Sequence, residues 1–133
     1  MDLRILEIAS NTENNKILEK HTHKSKNKNP ICGDEMEISL LVKNDKVLDM
    51  GYQCKSCVYC QASVSLLSQN IKDKSLDEIK DLINACEKLF ENTKIILEKK
   101  WFMFKEVFNK KNISRKECLL LPMRTVIKAL RLQ

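Results

Sequence analysis

An α+β fold, a small antiparallel sheet packed against helices, follows from three features of this 133-residue chain. Met36, Ile38, Leu40 and Val42 recur at every second position, and "KND" (43–45) then leads into "KVLDMGY" (46–52), which is the pattern of a β-hairpin. Beyond Cys57 the apolar spacing lengthens to that of a helix. The whole chain has only two glycines and two prolines, so few turns interrupt its helices.

Taken in order, Leu3, Ile5, Leu6, Ile8, Ile17 and Leu18 suit a short helix within residues 2–20. "SNTENN" (10–15) interrupts that pattern with residues that prefer caps and turns. "HTHKSKNKN" (21–29) has no apolar period and reads as an exposed loop, with no strand before Asn29. After the hairpin, Val58, Ala62, Leu66 and Ile71 predict a helix. Ser75 and Glu78 form a capping box that opens another, with Leu76, Ile79, Leu82, Ile83, Cys86, Leu89 and Phe90 as its core stripe. Ile95 to Phe108 is apolar and aromatic, with Trp101, Phe102, Phe104 and Phe108 expected in the core. "PMRTVIKALRL" (122–132) reads as a last amphipathic helix with Pro122 in its first turn and Cys118 just before it. No internal repeat is visible, and residues 1–133 read as a single domain large enough to bury a core without disulfides.

The opening "MDLRILEIAS" has no basic segment leading into a long apolar core, and no run approaches the ~18 apolar residues of a membrane span. The expected location is the cytoplasm, where cysteines serve as thiols, metal ligands or redox groups more often than as disulfides. A net charge of +6 permits a nucleic-acid or acidic partner. Its basic residues are mostly lysine, with arginine only at Arg4, Arg115, Arg124 and Arg131. Specific base reading leans on arginine, so the lysines read as a solvated surface.

The six cysteines carry the chemistry. Three fall at intervals of three in "CKSCVYCQAS" (54–63), yet Val64 and Ser65 stand where a ferredoxin loop would continue to its fourth cysteine. No second CxxC or HxxxH lies downstream to complete a zinc finger. A dithiol of Cys54 with Cys57 at a helix start stays open, since a helix N-terminus stabilises a thiolate. Cys32 lies in "NPICGDEM" (29–36), where Gly33 allows a tight turn and Asp34 brings a carboxylate two residues beyond the thiol. Cys57 falls at a strand-to-helix junction. Cys32, Cys57 and Cys118 with Asp34 make the four ligands a tetrahedral zinc ion needs, and around iron that mixed shell would hold a cluster less firmly than four thiolates.

In order, "NPICGDEMEISLLVKNDKVLDMGYQCKSCVYCQASVSLLSQNIKDKS" (29–75) and "SRKECLLLPMRTVIKAL" (114–130) resemble the U-type iron–sulfur cluster assembly scaffolds, the IscU, NifU N-terminal and SufU group. The resemblance implies a single NifU N-terminal-like domain of the SufE/NifU-like scaffold fold. It implies a labile cluster, of the 2Fe-2S kind, or a zinc ion on Cys32, Asp34, Cys57 and Cys118, with Asp34 as the labile acidic ligand. Ala62, Ser63 and Ser65 match the small-residue helix face beneath the site. The implied partners are a cysteine desulfurase, apo iron–sulfur acceptor proteins and a second copy of the chain, with no membrane and no nucleic acid. Glu117 stands where the IscU branch has a histidine, while Arg115 and the long stretch between Cys57 and Cys118 resemble the SufU branch. Cys54 replaces the expected glycine, and Cys60 adds a thiol one turn into the helix.

The leading expectation is a scaffold that accepts sulfur from a desulfurase and iron, builds a cluster and passes it on, without being a turnover enzyme. Two alternatives stand beside it. One is a zinc-dependent sulfurtransferase of the SufU kind; the other is a structural zinc module that binds nucleic acid or protein. Cys54 and Cys60 read equally as packed thiols or as extra ligands or sulfur relays. Cys86 reads as core, and His21 and His23 as exposed.

Overall fold

The computed structural model describes residues 2–92 and 94–131. Helix α1 (Leu3–Ala9) is followed by strands β1 (His23–Lys28), β2 (Glu35–Lys43) and β3 (Lys46–Lys55), then helices α2 (Val58–Asn70) and α3 (Leu76–Leu89). Two 3-10 segments, Lys99–Glu106 and Lys110–Arg115, lead into helix α4 (Lys116–Leu130). The sheet is antiparallel in the order β1-β2-β3. Among the described residues no helix is long and apolar enough to cross a membrane.

The hairpin forms as its alternation predicts. Met36 pairs with Cys54, Ile38 with Tyr52 and Leu40 with Met50, which places one apolar row on the inner face. Its two-residue turn places Asn44 (φ 53°) and Asp45 (φ 59°) in the left-handed region, where short polar side chains are tolerated and the strands keep their natural twist. Helices α2 and α4 lie against one another beside the sheet, and α1 packs on α2. Because α2 is covered on most sides, its serines must be satisfied internally. Ser63 donates to the Leu119 carbonyl at 2.6 Å and Ser65 to the Asn11 carbonyl at 2.7 Å. The Ser75–Glu78 capping box is present at the start of α3, whose predicted stripe is buried apart from the half-buried Leu76.

Four expectations are corrected. The polar tract at 21–29 contains strand β1, with His23, Ser25 and Asn27 half-buried and Lys24, Lys26 and Lys28 exposed. Its alternation lies in lysine spacing, so an apolar period could not reveal it. Backbone pairing to β2 and the Ser25 hydroxyl on the Thr125 carbonyl at 2.8 Å hold it in place. Lysines on this edge also discourage pairing with another chain. The last helix starts at Lys116, so Cys118 sits in its first turn and Pro122 inside it. Proline there forgoes a hydrogen bond to the Cys118 carbonyl, a cost of about 3 kcal/mol that burial of Leu119, Leu120, Met123 and Val126 offsets. That helix ends at Leu130, capped by Arg131 at φ 56°. Phe102 is 53% exposed, whereas Trp101, Phe104 and Phe108 are buried as expected.

The free edge of β3 is covered by residues 11–18, with the Tyr52 N–H donating to the Asn14 carbonyl at 3.0 Å. A Cβ on Gly51 would stand 2.3 Å from the Lys16 carbonyl oxygen, a backbone atom that cannot swing aside. Gly51→Ala is therefore expected to cost about 1–3 kcal/mol, read as a lower midpoint of urea unfolding. An unchanged midpoint would show that the 11–18 segment yields freely.

Candidate metal and sulfur site

Three chain segments that are remote in sequence meet at the site: the loop after β1, the start of α2 and the first turn of α4. The loop after β1 is organised by Asn29: its carbonyl accepts from the Gly33 N–H at 2.8 Å, its side chain accepts from the Ile31 N–H at 3.0 Å, and its N–H donates to the Asp34 carbonyl at 2.8 Å. Gly33 turns the chain at φ 76°, a conformation that strains other residues. Cys32 is thereby presented in an exposed position, while Asp34 is buried. Cys57 is the N-cap of α2, and its sulfur makes no capping bond.

Asp34 ties the loop to that helix. One carboxylate oxygen accepts from the Cys57 N–H at 3.1 Å, and the other lies 3.5 Å from the Cys57 sulfur. The Cys118 sulfur, buried in the first turn of α4, lies 3.7 Å from that of Cys32. Ligand atoms of Cys32, Asp34 and Cys118 all fall within 4.8 Å of one another, and Cys57 joins the group through Asp34. Burial, reinforced by contact with Cys32, Cys57 and Asp34, pushes the Cys118 thiol well up. A cation would relieve that penalty by favouring the thiolates. Three sulfurs and a carboxylate thus fit a soft metal with one exchangeable position.

The remaining sequence candidates fall elsewhere. Cys86 is buried in α3, as expected. His21 contacts the Leu18 carbonyl and His23 the Thr22 hydroxyl, and neither enters the ligand group. Glu117, at the position of the absent histidine, is paired with Arg124. The Arg115 guanidinium lies 5.1 Å over the Tyr59 ring, linking the approach to α4 with the helix that carries Cys57.

Cys60 is fully buried and Cys54 half-buried. The Ser56 hydroxyl is buried with no hydrogen-bond partner among the described residues. Sequence reasoning missed Asn29, whose role depends on neighbours brought in by the turn.

A family model, the NifU-like N terminal domain, matches residues 2–97. The chain belongs to the NifU-like N-terminal domain family. The matched stretch holds Cys32, Asp34 and Cys57, while Cys118 lies beyond it. Among curated relatives, the iron-sulfur cluster assembly scaffold protein IscU of Thermotoga maritima is 34% identical over 85 residues. That alignment covers 64% of this chain and 60% of the relative's length. Two crystal structures share the fold. One is a nitrogen-fixing NifU-like protein (N-terminal) from Brucella abortus, with a TM-score of 0.86 and 23% identity, covering 98% of this chain and 91% of that one. The other, from Fervidobacterium islandicum AW-1, is described as an iron-sulfur cluster assembly scaffold for the SUF system. It has a TM-score of 0.88 and 24% identity, covering 98% of this chain and 96% of that one. The α+β expectation therefore holds for the family's fold as well as for this chain.

Proposed function

We propose that the chain is a scaffold on which an iron–sulfur cluster is assembled and from which it is released. The observation that carries this reading is the convergence of Cys32, Asp34 and Cys118 within 4.8 Å, with Cys57 3.5 Å from Asp34. The cluster is cargo, its sulfur arriving as persulfide from a cysteine desulfurase and its destination being apo acceptor proteins. Thiolates suit iron and sulfur, whereas the harder Asp34 carboxylate is the weakest link and keeps the cargo exchangeable. The same donor set also fits a tetrahedral zinc ion, which supports a second reading as a zinc-dependent sulfurtransferase.

One experiment separates them: iron, zinc and acid-labile sulfide are measured after anaerobic incubation with desulfurase, cysteine and ferrous iron. Iron and sulfide in near-equal amounts support the scaffold, and tightly held zinc without sulfide supports the sulfurtransferase. Asp34→Ala is expected to slow cluster transfer to an apo acceptor by about tenfold or more, with a longer cluster lifetime. Unchanged transfer kinetics would remove Asp34 from that role.

A further inference from the structure

The two edges of the sheet differ. That of β3 is covered by residues 11–18, whereas β1 pairs with β2 on one side only and, among the described residues, no backbone group pairs with its other side. In an antiparallel ladder alternate residues turn their N–H and C=O toward the partner strand, and the residues between them face outward. Lys24, Lys26 and Lys28 are the outward set. The Lys26 carbonyl accepts from the Lys128 ammonium at 2.7 Å, and the Lys28 N–H donates to the Asn27 side chain at 3.0 Å. Both bonds are solvent-exposed, so exchangeable side chains occupy the places a neighbouring strand would take. A groove of about 690 Å³ lies against this edge, walled by residues 22–26 on one side and by Lys128, Ala129 and Arg131 at the end of α4 on the other. No carboxylate lines it. Glu37 of β2 is shared by Lys24 at 2.9 Å and Lys26 at 3.6 Å, which leaves one carboxylate for two ammonium groups, and Lys128 and Arg131 add two more cations. The groove is therefore positive.

We propose that this edge docks an acidic, extended segment of a partner protein, which joins the three-stranded sheet as a further strand beside β1. The main chain supplies the affinity: the outward N–H and C=O groups of Lys24 and Lys26 pair with the segment, and Lys128 moves from the Lys26 carbonyl to a carboxylate. Side chains set the pattern. Ser25 turns toward α4 and donates to the Thr125 carbonyl at 2.8 Å, so Lys24, Lys26 and Lys28 stand on the opposite face of the sheet. Carboxylates at every second position of the segment therefore fall beside these lysines, where opposite charges on adjacent strands attract and like charges repel. The same rule disfavours a second copy of β1, which would set lysine against lysine. A phosphate backbone offers acceptors without donors and would leave the outward carbonyls unpaired. β1 ends immediately before Asn29, whose loop carries Cys32, and the groove includes none of Cys32, Asp34, Cys57 or Cys118. A partner held here is tethered beside the thiols without covering them. Docking needs no metal, so it stands or falls separately from the scaffold reading.

The test uses the full, metal-free chain and a fluorescein-labelled acetyl-EVETEV-amide peptide, titrated at low salt and followed by anisotropy, with amide hydrogen exchange read by NMR. The expected result is saturable binding with slowed exchange at the Lys24 and Lys26 amides. The peptide acetyl-EPEPEP-amide has the same charge but lacks every second N–H, and it should bind more weakly by about tenfold or more. Lys26→Glu/Arg131→Glu should weaken binding of the first peptide by a similar factor. Both of those side chains are exposed, so the variant is expected to keep the wild-type circular dichroism spectrum. No saturable binding, equal affinity for the proline peptide, equal affinity of the variant, or protection confined to elements other than β1 would each overturn the proposal. The proline comparison needs no variant to fold. A dimer in sedimentation that the peptide displaces would give the edge to a second copy instead, and an oligothymidylate that displaces the peptide at lower concentration would give it to nucleic acid; either result also overturns the proposal.

Discussion

Cys118→Ser is expected to abolish retention of a reconstituted cluster, with iron and sulfide lost together and the fold intact. The reason is positional as well as chemical. Cys118 is the donor that α4 supplies to the proposed site, and its sulfur lies 3.7 Å from Cys32 and within the 4.8 Å group that includes Asp34. A serine hydroxyl is a poor ligand for iron in a sulfur-rich shell, and loss of one of the three thiolates, unlike loss of the weak carboxylate, should weaken metal binding by at least about tenfold. Burial raises the Cys118 thiol, so replacing it removes a group whose ionisation is unfavourable without metal. At neutral pH the thiol is protonated in the folded and the unfolded chain alike, so the metal-free variant should unfold at about the same or a slightly lower temperature than the metal-free wild type, the buried hydroxyl being the less favourable group there. Iron and sulfide retained at wild-type levels would place the cluster elsewhere.

Phe104→Ala is expected to cost about 3–5 kcal/mol of folding stability, seen as a large fall in the urea midpoint. Phe104 is fully buried, edge-on to Trp101 with ring centroids 5.9 Å apart and tilted against Phe108 at 6.1 Å. Phe108 in turn meets Phe90 of the α3 C-cap edge-on at 5.8 Å. This aromatic stack anchors the 3-10 segments that run into α4 and so helps position Cys118. Truncation leaves a cavity that backbone in short turns can collapse into only partly. The exposed Phe102→Ala is the internal control, with an expected change under about 0.5 kcal/mol.

Some elements were legible because their cause is local. Alternation over Met36–Val42 and the polar turn that follows specify the hairpin, since side chains two apart share a face and Asn44 and Asp45 tolerate positive φ. Ser75 and Glu78 act on backbone groups three residues away and need no distant partner. The turn beside Cys32 and Asp34 and the helix start at Cys57 were readable for a similar reason, as Gly33 marks the one and the change of apolar spacing the other.

β1 was not legible because nothing in "HKSKNK" favours a strand apart from the partner it finds in β2. Likewise, Pro122 suggested a helix start by its own preference, yet long-range burial of α4 places it inside. By itself, the sequence determined which residue types carry the chemistry and where the hairpin and the capped helix fall, because those depend on neighbours within a few residues. Only the tertiary structure decided that Cys118 meets Cys32 and Asp34, and that Cys60 is fully buried while Cys54 is half-buried. Those distances depend on how α2 and α4 pack beside the sheet, a sum of many nonlocal contacts that no short stretch of chain encodes.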